Sequence, residues 1–280
     1  MSDAKAGRVS VEEDVVFGTG GGRDLKCDIY TPPPTAEGVS DVLRPGLLLV
    51  HGGAWKLGDR KQLKGYGFLI GREGVVCVAS EYRLSEEAPW PAQLHDVKTA
   101  IRWMRANAAR LGIDPNRIAI SGASSGGHMG LIAAGTANDP AWEGEGSNAG
   151  VGSQVAAVVS FYAPTELVPG GPMLTELTEL LMGPDATEAD YAAASPVNHI
   201  GADYPPTMIL HSNIDDIVPP EQNQLLYRKM VDEGVIVELH VYDGGQSHAF
   251  DAEPALGRES ALLIKSFLAR HMPAPEARSA

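Results

Sequence analysis

Apolar residues along this chain recur with two periods, and the two alternate. Near the start, "VEEDVVF" (11–17) and "LKCDIYTP" (25–32) alternate apolar with polar positions on either side of the turn "GTGGGRD". That pattern predicts an antiparallel hairpin at one edge of a sheet. Six short runs with few charges follow: "PGLLLVHGG" (45–53), "GVVCVASEY" (74–82), "RIAISG" (117–122), "VAAVVSFY" (155–162), "PPTMILHS" (205–212) and "VIVELHVYDG" (235–244). Runs of this length suit strands buried on both faces. Helical patterns lie between them at 92–112, with an apolar stripe at Leu94, Val97, Ile101, Trp103 and Met104, and at 125–137, 220–234 and 253–272. The alternation predicts the α/β class: a mainly parallel, doubly wound sheet with helices on both faces and right-handed crossovers. One irregular stretch, 164–204, is rich in Pro, Gly, Thr and Glu around an apolar "LTELLMG" and reads as a cap-like insertion carrying one or two helices. With no internal repeat and no long linker, residues 1–280 read as one domain.

The densest candidate chemistry sits in "AISGASSGGHMG" (119–130), where a buried strand gives way to a helix. The turn fits G-x-S-x-G through Gly122, Ser124 and Gly126. A nucleophile at such a turn has its Oγ lifted above the sheet, and the flanking glycines let strand and helix approach closely. Ser124 takes the central position; the N–H of Ser125, at the helix N-terminus, can face a developing oxyanion. Five-residue patterns recur by chance, and the strand before and helix after are what give this one weight.

An activated serine needs a base. His95 and His271 read as packing or surface residues, His240 alternates within a strand, His199 lies in the insertion, and His128 packs inside one turn beyond Ser124. His248, in "YDGGQSHAF" after the last strand, occupies the sheet edge where open α/β sheets bind ligands. Its orienting carboxylate belongs on the exit loop of the preceding strand, where "LHSNIDDIVPP" offers Asp215 and Asp216; Asp215 is preferred. In "LLLVHGGAWKLGDR", Gly53 and Ala54 are the candidate oxyanion donors beside Ser125, while His51 reads as a loop-shaping residue. Gly52 and Trp55 are the candidate substrate contacts, with Trp55 alternatively covering the core. Asp59 and Arg60 read as a mutual surface pair.

Composition changes the picture less. The 280 residues are 44% hydrophobic and 21% charged, ordinary for a chain with a full core. A formal charge of −14 disfavours nucleic acid, anionic membranes and polyanionic substrates. Cys27 and Cys77 lie in apolar alternating runs and read as buried structural thiols. Residues 1–17 hold no apolar leader core and no run reaches the length of a membrane span, so the expectation is a soluble, cytoplasmic protein; a removed signal would leave no trace.

The set "HGGAWKLGD", "YRLSEEAPWPAQLHDVKTAIRWMRANAARLGIDPNRIAISGASSGGH", "HSNIDDIVPPEQ" and "GGQSHAF" resembles α/β-hydrolase esterases, in particular the hormone-sensitive-lipase-like and bifunctional feruloyl and acetyl-xylan esterase branch, from about residue 24 to about 270. The resemblance implies an α/β-hydrolase fold, Ser124 as nucleophile, Asp215 as acid, His248 as base, and an oxyanion hole from the HGG loop and Ser125. It also implies hydrolysis of carboxylic esters, with acetylated or feruloylated plant polysaccharide fragments as candidate substrates. Neither metal nor organic cofactor is implied. Ala54 departs from the usual third glycine, Ser125 from a common alanine, and "HSNID" from "HGDAD"-like segments. The expected ligand is a small-molecule or oligosaccharide ester with a short acyl group, its pocket bounded by Trp55 and "LTELLMG"; a homodimer is left open. An arylformamidase acting on N-formyl aromatic amines would use the same trio, whereas a non-catalytic binding protein would have no need of it. A dehalogenase would want a carboxylate at position 124.

Overall fold

The computed structural model describes residues 7–34, 43–137, 139–170, 175–243 and 247–274. Eight strands form one sheet: β1 (Ser10–Gly20), β2 (Arg23–Thr31), β3 (Arg44–Val50), β4 (Val76–Ser80), β5 (Ile113–Ala123), β6 (Ala157–Phe161), β7 (Thr207–Ser212) and β8 (Val237–Tyr242). The helices are α1 (Lys64–Gly71), α2 (Ala92–Ala106), α3 (Ala108–Leu111), α4 (Ser125–Gly135), α5 (Pro140–Glu143), α6 (Thr175–Met182), α7 (Glu188–Ala193), α8 (Pro220–Asp232) and α9 (Pro254–His271). The sheet order is β1-β2-β4-β3-β5-β6-β7-β8. The hairpin β1–β2 is antiparallel and joins β4 antiparallel, and from β4 to β8 every pairing is parallel.

Period-two alternation divides the core between the faces of the sheet. Leu48 and Val50 of β3 pack with Val76 and Val78 against α2, α4 and α8. Their neighbours Leu47 and Leu49 pack with Cys77 and Ala79 toward α1 and α9. Both faces are therefore sealed by helices, which is why these strands carry almost no charge.

Between β3 and β5 the winding reverses. The chain leaves β3 through α1 on one face and returns to β4, then passes through α2 on the other face to β5, beside β3 with Val50 opposite Gly122. The loops after β3 and β5 thus diverge from adjacent strand ends and open a crevice, the usual ligand position in such sheets.

Three elements depart from the sequence reading. Helix α1 is unforeseen, because "KGYGFLIG" carries two internal glycines and only Gly67, Ile70 and Gly71 are buried. The 92–112 pattern breaks at Asn107 into α2 and α3, and α3 ends on Gly112 in the left-handed region (φ 66). β8 is an edge strand, not one buried on both faces: its residues are half-buried and Val241 is 57% exposed. The 164–204 insertion holds α6, α7 and a short 3-10 turn at Pro196–His199, with residues 171–174 outside the described set. No helix among the described residues is long and apolar enough to cross a membrane.

Candidate active site

Ser124 stands at the junction of β5 and α4 with φ 53 and ψ −119, a conformation costly for any residue with a Cβ. Two hydrogen bonds hold it there: its N–H donates to the Phe161 carbonyl of β6 (2.9 Å), and its carbonyl accepts from the His128 N–H (3.0 Å). Glycine is required on both sides for space. A Cβ on Gly122 would overlap the Gly126 backbone, and one on Gly126 would overlap the Val50 carbonyl of β3.

Three side chains from distant parts of the chain meet at this turn. His248 Nε2 lies 3.1 Å from Ser124 Oγ, and His248 Nδ1 lies 2.8 Å from Asp215 Oδ2. Asp215 is buried, and its other oxygen accepts from the N–H groups of Ile217 and Val218, each at 2.9 Å. Burial pushes its carboxyl upward, but the hydrogen bonds from His211, His248 and Val218 outweigh that and hold it well below the usual carboxylate range. It is therefore an anion at neutral pH and keeps Nδ1 of His248 protonated, leaving Nε2 free to face the serine. Asp216, the alternative, instead accepts from Ser247 Oγ at 2.6 Å and does not share His248.

The loop after β3 supplies donors. His51 Nδ1 is 2.8 Å from the Gly52 carbonyl, and its ring stacks on Tyr82 with centroids 4.2 Å apart. Burial lowers the His51 pKa, so the ring is neutral and donates. The Gly53 carbonyl accepts from the N–H groups of Lys56 (3.1 Å) and Leu57 (2.8 Å). In a trans peptide the N–H points opposite to the carbonyl. Fixing these two carbonyls into the loop aims the N–H groups of Gly53 and Ala54 the other way. Ser125 is the first residue of α4, so its N–H has no intrahelical partner. Gly52, Gly53, Ala54, Ser124 and His248 all line one cavity of about 980 Å³, and a Cβ on Gly52 would sit 3.3 Å from that of Ser124.

Trp55 does not line that cavity. It is fully buried, and its Nε1 donates to His128 Nδ1 at 3.2 Å while His128 Nε2 donates to the Ala194 carbonyl at 2.7 Å. Burial pushes His128 down to about 4, so it is neutral and structural. The "LTELLMG" segment is also absent from the cavity wall; Met182 and Gly183 border a separate hollow of about 530 Å³ with Trp90 and Trp142. Asp59 and Arg60 do not pair with each other. Asp59 caps the Arg60–Leu63 turn through the Lys61 N–H (2.7 Å), and Arg60 bonds Asp28 and Glu81, each at 2.8 Å, and Asp14. Cys27 and Cys77 are buried free thiols.

Four residues beyond the sequence reading complete the surroundings. His211 Nε2 reaches Asp215 Oδ2 (3.2 Å) and the Val218 carbonyl (3.0 Å). The Tyr162 ring packs on His248 with centroids 4.6 Å apart, and its hydroxyl donates to Asp251 Oδ1 at 2.5 Å. Tyr66, from α1, donates to the other oxygen of Asp251 at 2.9 Å. Of these only His211 carried a signal, as a histidine on the strand leading into the Asp215 loop.

The BD-FAE family model matches residues 27–230, nearly three quarters of the chain, including the HGG loop, Ser124 and Asp215 but ending before His248. The chain belongs to the BD-FAE family. This BD-FAE chain is 32% identical over 263 residues to the esterase LipQ of Mycobacterium tuberculosis, covering 91% of this chain and 61% of LipQ. It is 33% identical over 218 residues to the esterase LipC of the same organism, covering 74% and 53%. It therefore spans between half and two thirds of the length of these curated relatives. Among solved structures, the propionate-bound esterase Est2 of the planctomycete Thermogutta terrifontis superposes with a TM-score of 0.78 at 28% identity, covering 99% of this chain and 98% of that one. A truncated carbohydrate esterase from gut microbiota superposes with a TM-score of 0.80 at 24% identity over 96% and 100%, a likeness of fold.

Proposed function

We propose that this BD-FAE member is a serine carboxylesterase that hydrolyses short-acyl esters through an acyl-enzyme. The observation that carries the reading is one imidazole within hydrogen-bond reach of both the Ser124 hydroxyl and a buried, ionised carboxylate. A binding protein has no use for a serine in strained backbone with a base against its Oγ. In the proposed reaction, His248 Nε2 removes the hydroxyl proton as Ser124 Oγ adds to the ester carbonyl. Asp215 stabilises the imidazolium that forms, and the N–H groups of Gly53, Ala54 and Ser125 stabilise the oxyanion. Collapse expels the alcohol, which takes the proton from His248 and leaves an acyl-serine. Water, deprotonated by the same imidazole, then attacks the acyl carbon; collapse breaks the bond to Ser124 Oγ, His248 returns the proton to that oxygen, and the acid is released.

Support for a short acyl group comes from Est2, solved with propionate and with butyrate. A site that buries two to four acyl carbons gains about 0.8 kcal/mol per CH₂ until it is full and nothing beyond. Acetylated or feruloylated saccharide fragments are the proposed natural esters, as the family resemblance implies. The test is a panel of initial rates on p-nitrophenyl esters of rising chain length, acetylated xylo-oligosaccharide, methyl ferulate and N-formylkynurenine. The reading expects a maximum between acetyl and butyryl and slow turnover of the formamide. Preference for decanoyl esters would make the cavity a lipase-like channel, and preference for the formamide would make the chain an arylformamidase.

A further inference from the structure

The catalytic cavity, about 980 Å³, is far larger than a short acyl group, and its lining includes cationic as well as apolar side chains. Besides Ser124 and His248, its wall includes Tyr66, Asp251 and two solvent-exposed arginines, Arg72 just after α1 and Arg258 in α9. Between Arg23 and Arg270, the guanidinium of every other arginine enters a described ion pair or hydrogen bond; those of Arg72 and Arg258 enter none among the described residues. In a chain of net charge −14, carboxylates are plentiful, yet these two cations are left without a described partner and both border this cavity, Arg72 also bordering a second hollow beside Arg44 and Arg117. The neighbouring acids are not their counter-ions. Glu73 pairs with Lys265, and the carboxylate of Asp251 has one oxygen taken by Tyr66 and the other by Tyr162. Arg72, the C-cap of α1, lies six residues beyond Tyr66, about 9 Å further along the helix axis.

We infer that the part of this cavity bordered by Arg72 and Arg258 is an anion subsite, and that the preferred esters carry a carboxylate at the end remote from the scissile bond. The inference rests on the esterase reading and narrows its substrate class. Guanidinium groups bind carboxylates through paired, charge-assisted hydrogen bonds, and two of them at one subsite compete well with water for a single anion. The overall negative charge still disfavours polyanions, but one carboxylate held at two arginines lies within a Debye length of them and feels them first.

The experiment compares acids with their carboxamides. Two substrate series of rising length are used: p-nitrophenyl monoesters of straight-chain dicarboxylic acids, with the anion on the acyl side, and acetyl esters of ω-hydroxy acids, with it on the alcohol side. In at least one series, at the length that bridges Ser124 and the arginines, the acid should exceed its amide in kcat/KM by about tenfold or more. That ratio should collapse toward one in Arg72→Gln/Arg258→Gln, invert in Arg72→Glu/Arg258→Glu, and shrink in the unmodified protein as salt is raised. Because a ratio is read, partial loss of folding in a variant cancels, and the salt arm needs no variant. Calorimetric binding of the same pairs to Ser124→Ala separates the two readings. Tighter binding of acid than amide without turnover in the unmodified protein would overturn the esterase reading alone. Normal turnover with equal acid and amide values at every length would overturn the anion subsite alone.

Discussion

His248 is constrained from three directions, and each constraint has a distinct consequence. Asp215 fixes its tautomer, the Ser124 hydroxyl donates to its free nitrogen, and the Tyr162 ring limits its rotation. Ser124→Ala removes only the proposed nucleophile, so kcat should fall by about 10⁴ or more while the unfolding transition is kept; near-normal turnover would dismiss Ser124. Asp215→Asn loses the anion that stabilises the imidazolium and should cost on the order of 10⁴ in kcat, whereas Asp216→Asn should cost less than about tenfold. Equal effects would mean that the carboxylate facing His248 is misassigned. At this scale the sequence was most legible where chain order and loop position restrict the choice, as for Ser124, Asp215 and His248. It was least legible for Trp55: an aromatic beside a glycine loop reads equally as wall or core, and only the burial of its Nε1 against His128 decides. Tyr162 and Asp251 gave no signal, since their meeting depends on how the turn after β8 folds back on β6.

The strand-to-helix turn and the loop after β3 form one unit, because Gly126 packs directly on the Val50 carbonyl. Gly126→Ala must push β3 and α4 apart, and we expect a stability loss above about 2 kcal/mol together with loss of activity, measured by denaturant unfolding and ester turnover. A stable, active Gly126→Ala protein would contradict that packing. The buried strands were legible from composition alone, as sealed faces exclude charge. The edge strand β8 misleads the same reasoning, for its apolar residues are short of partners on the sheet's last edge. Helix α1 was illegible because its glycines erase the periodic stripe, yet it carries Tyr66 and leads to Arg72. Within the stretch read as a cap-like insertion, α6 and α7 contribute no residue to the catalytic cavity wall, so the acyl-pocket duty given to "LTELLMG" is not theirs.

Across the whole molecule, the reversal of winding between β3 and β5 decides where chemistry is possible, and the alternation of strands and helices along the chain foretold such a crevice without locating it. Acid sensitivity is a property of the same scale. His128, neutral in the fold with a pKa near 4 against about 6.5 unfolded, binds its proton later than the unfolded chain does. Stability from this group is complete above about pH 6.5 and is lost as pH falls toward 4, about 2 kcal/mol by pH 4.5. Denaturation at pH 7 and pH 4.5 should show that loss in the unmodified protein and a smaller one in His128→Gln; identical losses would remove His128 from the account. The mechanism turns on an acyl-serine, and its most direct measurement is peptide mass analysis of protein acid-quenched during turnover of p-nitrophenyl acetate, with Asp215→Asn, slowed in both half-reactions, as a companion. The expected result is an acetyl group on the peptide carrying Ser124 and none there in Ser124→Ala. Ester hydrolysis with no acetylated peptide in either protein, or with the acetyl group on another residue, would contradict it.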